Sequence, residues 1–440
     1  MRSLRQSGWQ PILPEPLRGQ AQQAVTDICA ELGTSIPAEA REGPELLSHY
    51  ALLHAYLGVA WNSAGHAAKA TAFLEQSIES LADTPIAPAL YGGFTGVAWI
   101  VEHLQHPPLG NPASADDGDP NEEIDSALLS YLETPVWKES YDLISGLVGF
   151  GVYALERLPR RSAETCLTRI LDHLAAMSTR DNGEAAWWTP LELIPPIARA
   201  QLPSGHYNLG VAHGVPGVIG FLAQINDAGL LEHQVTPLMS GAVAWLLKQR
   251  LPVGSDSAFP TTAGHPEASR PSRAAWCYGD PGIVLALLAA ARSLGEREWE
   301  EQALAIGRKV AQREPKNCGV NDAGLCHGAS GLAHVFNRLF QATGEDAFLK
   351  AARFWFGQAL EMRKPGAGIA GFAPWYPKGA ERDVRRTTCG FLMGGSGIAL
   401  ALLAAITDLE PRWDRLLLAS VPPARPLDDL RGATRIRTGE

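Results

Sequence analysis

The sequence predicts an all-α protein whose helices close into an α/α toroid, inner helices forming a barrel and outer helices shielding it. Two observations lead there. A Gly-x-x-Gly signature recurs six times, each time followed by an apolar run of helix length, and amphipathic stretches lie between the recurrences. A repeat at this spacing marks one supersecondary unit used many times, with the units stacked to bury a shared core.

The signatures are "GFTGVAWIVEHL" from Gly93, "GLVGFGVYALERL" from Gly146, "GVPGVIGFLAQI" from Gly214, "GDPGIVLALLAAA" from Gly279, "GASGLAHVFNRLF" from Gly328 and "GGSGIALALLAAI" from Gly394. Successive first glycines are separated by 53, 68, 65, 49 and 66 residues. Ala, Leu and Ile dominate each tail, and apolar positions lie nearly all round it, as in a buried helix. The glycines permit a tight turn and close backbone approach. In "WEEQALAIGRKV", Trp299, Ala303, Ile306 and Val310 share one helical face, and residues 348–363 behave alike. Each unit thus pairs a buried helix with an amphipathic one. Two further helices, within 46–62 and 66–82, precede the first signature, giving six or seven pairs.

Residues 1–45 read as an N-terminal segment, 46–420 as the toroid with loop insertions, and 421–440 as a flexible C-terminal tail. Segments 105–135, 180–207, 252–272 and 364–388 are rich in Pro, Gly, Asp or Arg and read as long loops or small insertions. Bulk properties exclude several classes. A net charge of −10 argues against a nucleic-acid partner. No apolar run reaches the roughly 18–20 residues of a membrane span, and no apolar core follows the basic start as in a signal peptide. Six cysteines in 440 residues suit a cytoplasmic protein with free thiols better than a disulfide framework.

Equivalent turns place equivalent residues around one end of a barrel. The two positions ahead of the first glycine hold Tyr91–Gly92, Ile144–Ser145, Ala212–His213, Cys277–Tyr278, Cys326–His327 and Leu392–Met393. Three consecutive units therefore carry the reactive types. Two thiols and an imidazole, Cys277, Cys326 and His327, form a Cys2His set suited to zinc, with a fourth position open. Cys29, Cys166, Cys318 and Cys389 lack this offset and read as small buried hydrophobes, with Cys318 the nearest rival ligand.

These motifs resemble a known family. "YDLISGLVG" (141–149), "NLGVAHG" (208–214), "RAAWCYGDPG" (273–282) and "LCHGASG" (325–331) are similar to those of the LanC-type lanthionine cyclases of class I lanthipeptide biosynthesis. The likeness runs from about residue 45 to 410, and Tyr278, where eukaryotic LanC-like proteins have His, points to the bacterial branch. The resemblance implies about seven inner and seven outer helices and one Zn²⁺ per chain on Cys277, Cys326 and His327. It implies further active-site residues in His213, Asp142, Arg273 and Tyr278, and a small peptide-holding insertion whose location the sequence leaves open.

The implied reaction is intramolecular addition of a peptide cysteine thiol to dehydroalanine or dehydrobutyrine, giving a lanthionine or methyllanthionine thioether. His213 is expected to manage protons and Asp142 to orient its imidazole. Arg273 and Tyr278 are expected to stabilise the enolate oxygen or fix the ring. Structural roles compete: Asp142 as a helix cap, Arg273 in an ion pair, Tyr278 as a packing aromatic. The implied partner is a dehydrated precursor peptide, leader plus core. The resemblance also brings a dehydratase and a transporter forward as further partners, and the sequence leaves open whether the protein works alone or in a membrane-associated complex with them. Two alternatives share the chain: an enzyme adding glutathione to dehydroamino acids, and a non-catalytic precursor-peptide scaffold.

Overall fold

Among the described residues, fourteen helices of two or more turns alternate between two layers. In this computed structural model residues 8–32, 43–110, 118–264, 270–376 and 388–422 are described. In chain order the helices are α1 (Leu17–Leu32), α2 (Pro44–Ala60), α3 (Ala64–Asp83), α4 (Phe94–His103), α5 (Glu122–Tyr131), α6 (Leu147–Glu156) and α7 (Arg161–Met177). There follow α8 (Val215–Asp227), α9 (Glu232–Lys248), α10 (Asp280–Leu294), α11 (Arg297–Ala311), α12 (Ala329–Thr343), α13 (Asp346–Glu361) and α14 (Gly395–Ile406). The even-numbered helices pack in sequence α2–α4–α6–α8–α10–α12–α14 and back to α2, closing an inner ring of seven. Each odd-numbered helix lies against an inner neighbour, and α1 closes the outer layer by packing on α14.

Composition explains the layers. In α14 every residue from Gly395 to Ile406 is buried, and in α10 every residue from Asp280 to Ser293. In α11 only Ala303, Ile306, Gly307 and Val310 are buried, one face of an amphipathic helix. In α1, Ala21, Ala24, Val25, Ile28, Cys29 and Leu32 form the same kind of stripe. The segment 1–45, read from sequence as lying ahead of the toroid, thus contributes the outer helix of the seventh pair. Trp9 extends the attachment, its indole N–H donating to the Ala404 carbonyl at 2.8 Å.

Three of the stretches read as loops hold elements. Within 105–135 lies α5, which buries Leu128 together with the carboxylate of Asp125. Its Asp125 joins Glu102 and Asp119 around the fully buried Arg157, with N–O separations of 2.5–2.6 Å. Within 180–207 and 252–272 lie β1 (Thr179–Asp181), β2 (Glu184–Ala186), β3 (Trp188–Thr189), β4 (His206–Asn208) and β5 (Thr262–Ala263). β1 and β2 form a hairpin around Asn182–Gly183, both at positive φ, while β3–β4–β5 is an antiparallel sheet that delivers Asn208 to the turn ahead of α8. Of 364–388 the first part is irregular; residues 377–387, and 423–440 of the expected tail, lie outside the described residues. Before that point the chain turns back in a short helical segment, Arg412–Leu417, that buries Trp413, Asp414, Leu416 and Leu417.

The Gly-x-x-Gly signature has a geometric cause. At all six first glycines, a methyl group would fall within 3.0 Å of the backbone of the residue six positions earlier: Ala87, Ser140, Asn208, Arg273, Asp322 and Thr388. At the second glycines it would meet the carbonyls of Leu90, Leu143, Val211, Trp276, Leu325 and Phe391, again six earlier. Six of the seven inner helices, all but α2, therefore start with the first turn pressed onto the hairpin that leads into them. Backbone bonds then join hairpin to hairpin. Tyr91 N–H donates to Ile144 O, Leu143 to Ala212, Ala212 to Cys277, Cys277 to Cys326 and Cys326 to Leu392, at 2.8–3.4 Å. This belt runs around one end of the ring.

A substitution pair tests this account. Gly331→Ala places a methyl onto the Leu325 carbonyl and is expected to lower unfolding free energy by about 1–3 kcal/mol. Gly65→Ala, in the exposed first turn of α3 with open space around it, is expected to raise it by about 0.5–1 kcal/mol. Denaturant unfolding of both variants reads the contrast.

Candidate active site

The belt places Cys277 and Cys326 side by side, since the N–H of one donates to the carbonyl of the other at 3.2 Å. His327 follows Cys326 in an irregular turn, where adjacent side chains can face one point. Ligand atoms of Cys277, Cys326 and His327 all lie within 4.8 Å of one another. No other group of three such donors gathers among the described residues. The hydrogen bond from Cys326 holds the Cys277 thiol well below its ordinary pKa, against burial and with help from His327 and Arg273. The same bond, with burial and the Cys277 charge, holds Cys326 well above it. A cation bound there would hold both sulfurs as thiolates.

The remaining thiols behave otherwise. Burial raises Cys29 and Cys166 to about 12 and Cys318 to about 11. The Cys318 thiol points to the Glu314 carbonyl at 3.5 Å, away from the cluster. All six cysteines are free.

His213 stands beside this group, its Nδ1 2.5 Å from Asp142 Oδ2. Asp142 serves the turn as well, since Oδ1 accepts the Ser145 N–H at 2.8 Å. The expected orienting role and the expected cap therefore divide between two oxygens, although the cap belongs to the turn rather than to α6. Burial alone pushes Asp142 up, but the His213 hydrogen bond and charge and the Ser145 N–H bring it below its ordinary value. For His213 burial pushes down, and the hydrogen bond and charge of Asp142, with Cys277, bring it above.

Tyr278 packs its ring on His213, with centroids 5.9 Å apart and planes 27° apart. Its hydroxyl accepts from Asn208 Nδ2 at 2.9 Å, and burial raises it to about 12. Both the aromatic-packing and the polar reading are thus present. Arg273 forms no ion pair among the described residues; its charge acts on Cys277 and Cys326.

Two residues at the site escaped sequence reasoning. Asn208 and Asp322 are nearly fully buried, and each accepts the N–H two residues on, Gly210 at 2.9 Å and Gly324 at 3.0 Å. With Arg273 they share the position six before the first glycine, where Ser140 likewise accepts the Asp142 N–H at 3.2 Å. That common offset was the available signal.

Comparison with known proteins finds a family for the chain. The family described as "Lanthionine synthetase C-like protein" matches residues 50–418. The chain belongs to that family. LanC-like relatives include the "Nisin biosynthesis protein NisC" of Lactococcus lactis subsp. lactis, 24% identical over 297 residues, which span 62% of this chain and 68% of that one. The "Glutathione S-transferase LANCL1" of Danio rerio is 32% identical over 146 residues, one third of each chain. Among solved structures, "Nisin cyclase" superimposes with a TM-score of 0.70 at 20% identity, covering 92% of this chain and 98% of that one. That likeness establishes the LanC-type α/α toroid. Among the described residues no helix is long and apolar enough to cross a membrane.

The Asp142–His213 pair predicts a titration. The His213 imidazole is expected to titrate above the ordinary value of about 6.5, and Asp142→Asn to lower it, as read by NMR of the ring protons. Because the folded-state value of His213 is raised and that of Asp142 lowered, the pair's contribution to stability is full between the two unfolded values. It is lost as pH rises through the folded value of His213 and as pH falls through that of Asp142.

Proposed function

We propose that the protein is a zinc-dependent lanthipeptide cyclase that adds peptide cysteine thiols to dehydroalanine or dehydrobutyrine within a dehydrated precursor peptide. The observation that carries this reading is the convergence of Cys277, Cys326 and His327 within 4.8 Å, beside the bonded pair His213–Asp142. Family membership supplies the substrate class. The free thiols suit a reducing compartment, and we place the protein in the cytoplasm.

Cys277, Cys326 and His327 would hold the metal. Two thiolates and a neutral imidazole fit Zn²⁺. When bound there, zinc supplies the charge that lowers the pKa of an incoming thiol from about 8.5 into the neutral range. In the addition the sulfur–β-carbon bond forms as the carbon–carbon π bond breaks, and a proton arrives at the α-carbon. The thiol's own proton balances that gain, so the reaction needs no net acid or base.

His213 is placed to relay that proton. Its side chain is 40% exposed while Asp142 is buried, so one ring nitrogen is fixed and the other is available to substrate. Asp142 fixes the tautomer and favours the protonated ring. Tyr278, protonated at neutral pH and oriented by Asn208, presents a hydroxyl for the developing enolate oxygen. Arg273 adds positive charge beside the thiolates.

Purified protein is expected to hold about one zinc per chain, lost in Cys277→Ala and in Cys326→Ala; a metal-free wild-type chain contradicts the proposal. His213→Ala is expected to keep zinc and lose at least about 10²-fold in cyclisation rate. One assay separates this reading from glutathione addition, which the name of the Danio rerio relative brings forward. A dehydrated, cysteine-bearing precursor is incubated with and without glutathione, then weighed and titrated for thiols. Ring closure consumes a thiol at constant mass, glutathione addition raises the mass, and a scaffold changes neither.

A further inference from the structure

Asp322 does more than its turn requires. Its side chain is 1% exposed. Oδ1 accepts the Gly324 N–H at 3.0 Å, which completes the turn. Oδ2 accepts the Trp375 N–H at 2.9 Å and lies 3.8 Å from Nε2 of His327. One carboxylate oxygen thus faces both a metal-ligand candidate and a segment remote in sequence. At the equivalent position Asn208 makes the same turn at 2.9 Å with an amide. The turn alone therefore does not call for an acid at 322, but an imidazole beside it does, since a carboxylate orients a ligating ring and raises its basicity.

The tethered segment ends in an unusual side chain. Ile369 and Phe372 are buried anchors, whereas Trp375 is 43% exposed. Its backbone is fixed by the same oxygen that faces His327. An exposed large aromatic whose backbone is tethered to the residue facing His327 is a contact for an extended peptide.

We infer that Asp322 is a positioning residue that joins the His327 imidazole to a lip at Trp375, and that Trp375 contacts the dehydrated peptide flanking the reacting thiol. The inference rests on the proposed function for its substrate, but the role of Asp322 is read without turnover.

The test uses the full-length zinc-loaded protein. Asp322→Asn retains an acceptor for Gly324 and is expected to weaken zinc binding about 10–100-fold in chelator competition, with the denaturation midpoint near wild type. If the midpoint falls, Asp322→Ser replaces it, since Ser140 makes the equivalent turn with a hydroxyl. Trp375→Ala is expected to leave zinc affinity unchanged and to raise KM for the dehydrated peptide about five- to twentyfold with kcat within about twofold. Trp375→Phe is expected to recover most of that loss. Wild-type zinc affinity in a folded Asp322 variant overturns the positioning role, and an unchanged KM in Trp375→Ala overturns the lip. If the wild-type chain cyclises nothing, the proposed function fails while chelator competition still decides Asp322.

Discussion

The contact on which this structure depends is that between each inner-helix glycine and the backbone six residues before it. A β-carbon at either glycine of a signature would overlap the hairpin backbone. With glycine in place the hairpin folds flat onto the first helical turn, and its outer edge is free to bond the next hairpin. The belt from Tyr91 to Leu392 follows. Once the belt exists, any two residues at the same offset in adjacent units are neighbours, however far apart in sequence. Cys277 and Cys326 are 49 residues apart in the chain and meet for this reason alone.

That geometry explains what could be read in advance. Offset from a glycine is a sequence property, so the cysteines, His327 and His213 could be grouped without coordinates, and the structure brings them together. Asn208 and Asp322 obey the same rule at a different offset. They went unread because Asn and Asp near glycines look like ordinary turn residues. The helix α5 was missed for another reason. Its apolar positions Ile124, Leu128 and Leu132 do recur at helical spacing, but they lie in a stretch whose Asp, Gly and Pro content reads as loop. The β1–β2 hairpin carried a legible sign in Asn182–Gly183, overshadowed by a charged and proline-rich neighbourhood. The place of α1 was not legible at all, because nothing local says which end of the chain closes a ring.

Within the site, partners rather than burial decide which groups are poised for chemistry. Cys29, Cys166 and Cys277 are all buried thiols. Burial, helped at Cys166 by the Asp125 charge, lifts the first two to about 12 and leaves them inert. Cys277 moves the other way because a second thiol, an imidazole and a guanidinium converge on it. The Asp142–His213 pair follows the same logic, with desolvation opposed on both members by their mutual bond. Function at this end of the ring is thus a matter of which side chains the belt assembles, on a backbone that every unit shares.

The units without chemistry show what the shared backbone otherwise does. Tyr91 occupies the same offset as Cys277, yet its hydroxyl donates to the Leu416 carbonyl at 2.6 Å. Trp276, one residue before Cys277, donates to Leu417 at 2.8 Å. The returning C-terminal turn is therefore bonded to the belt from within. It is locked in turn by Asp414, which is buried between His334 and Arg338. Removing one member of such a buried set leaves an uncompensated charge and costs more than the set contributes. Buried charges also gather on this closing turn and around Arg157, at the C-terminal end of α6. The end that carries Cys277, His213 and Tyr278 keeps its polar groups for one another.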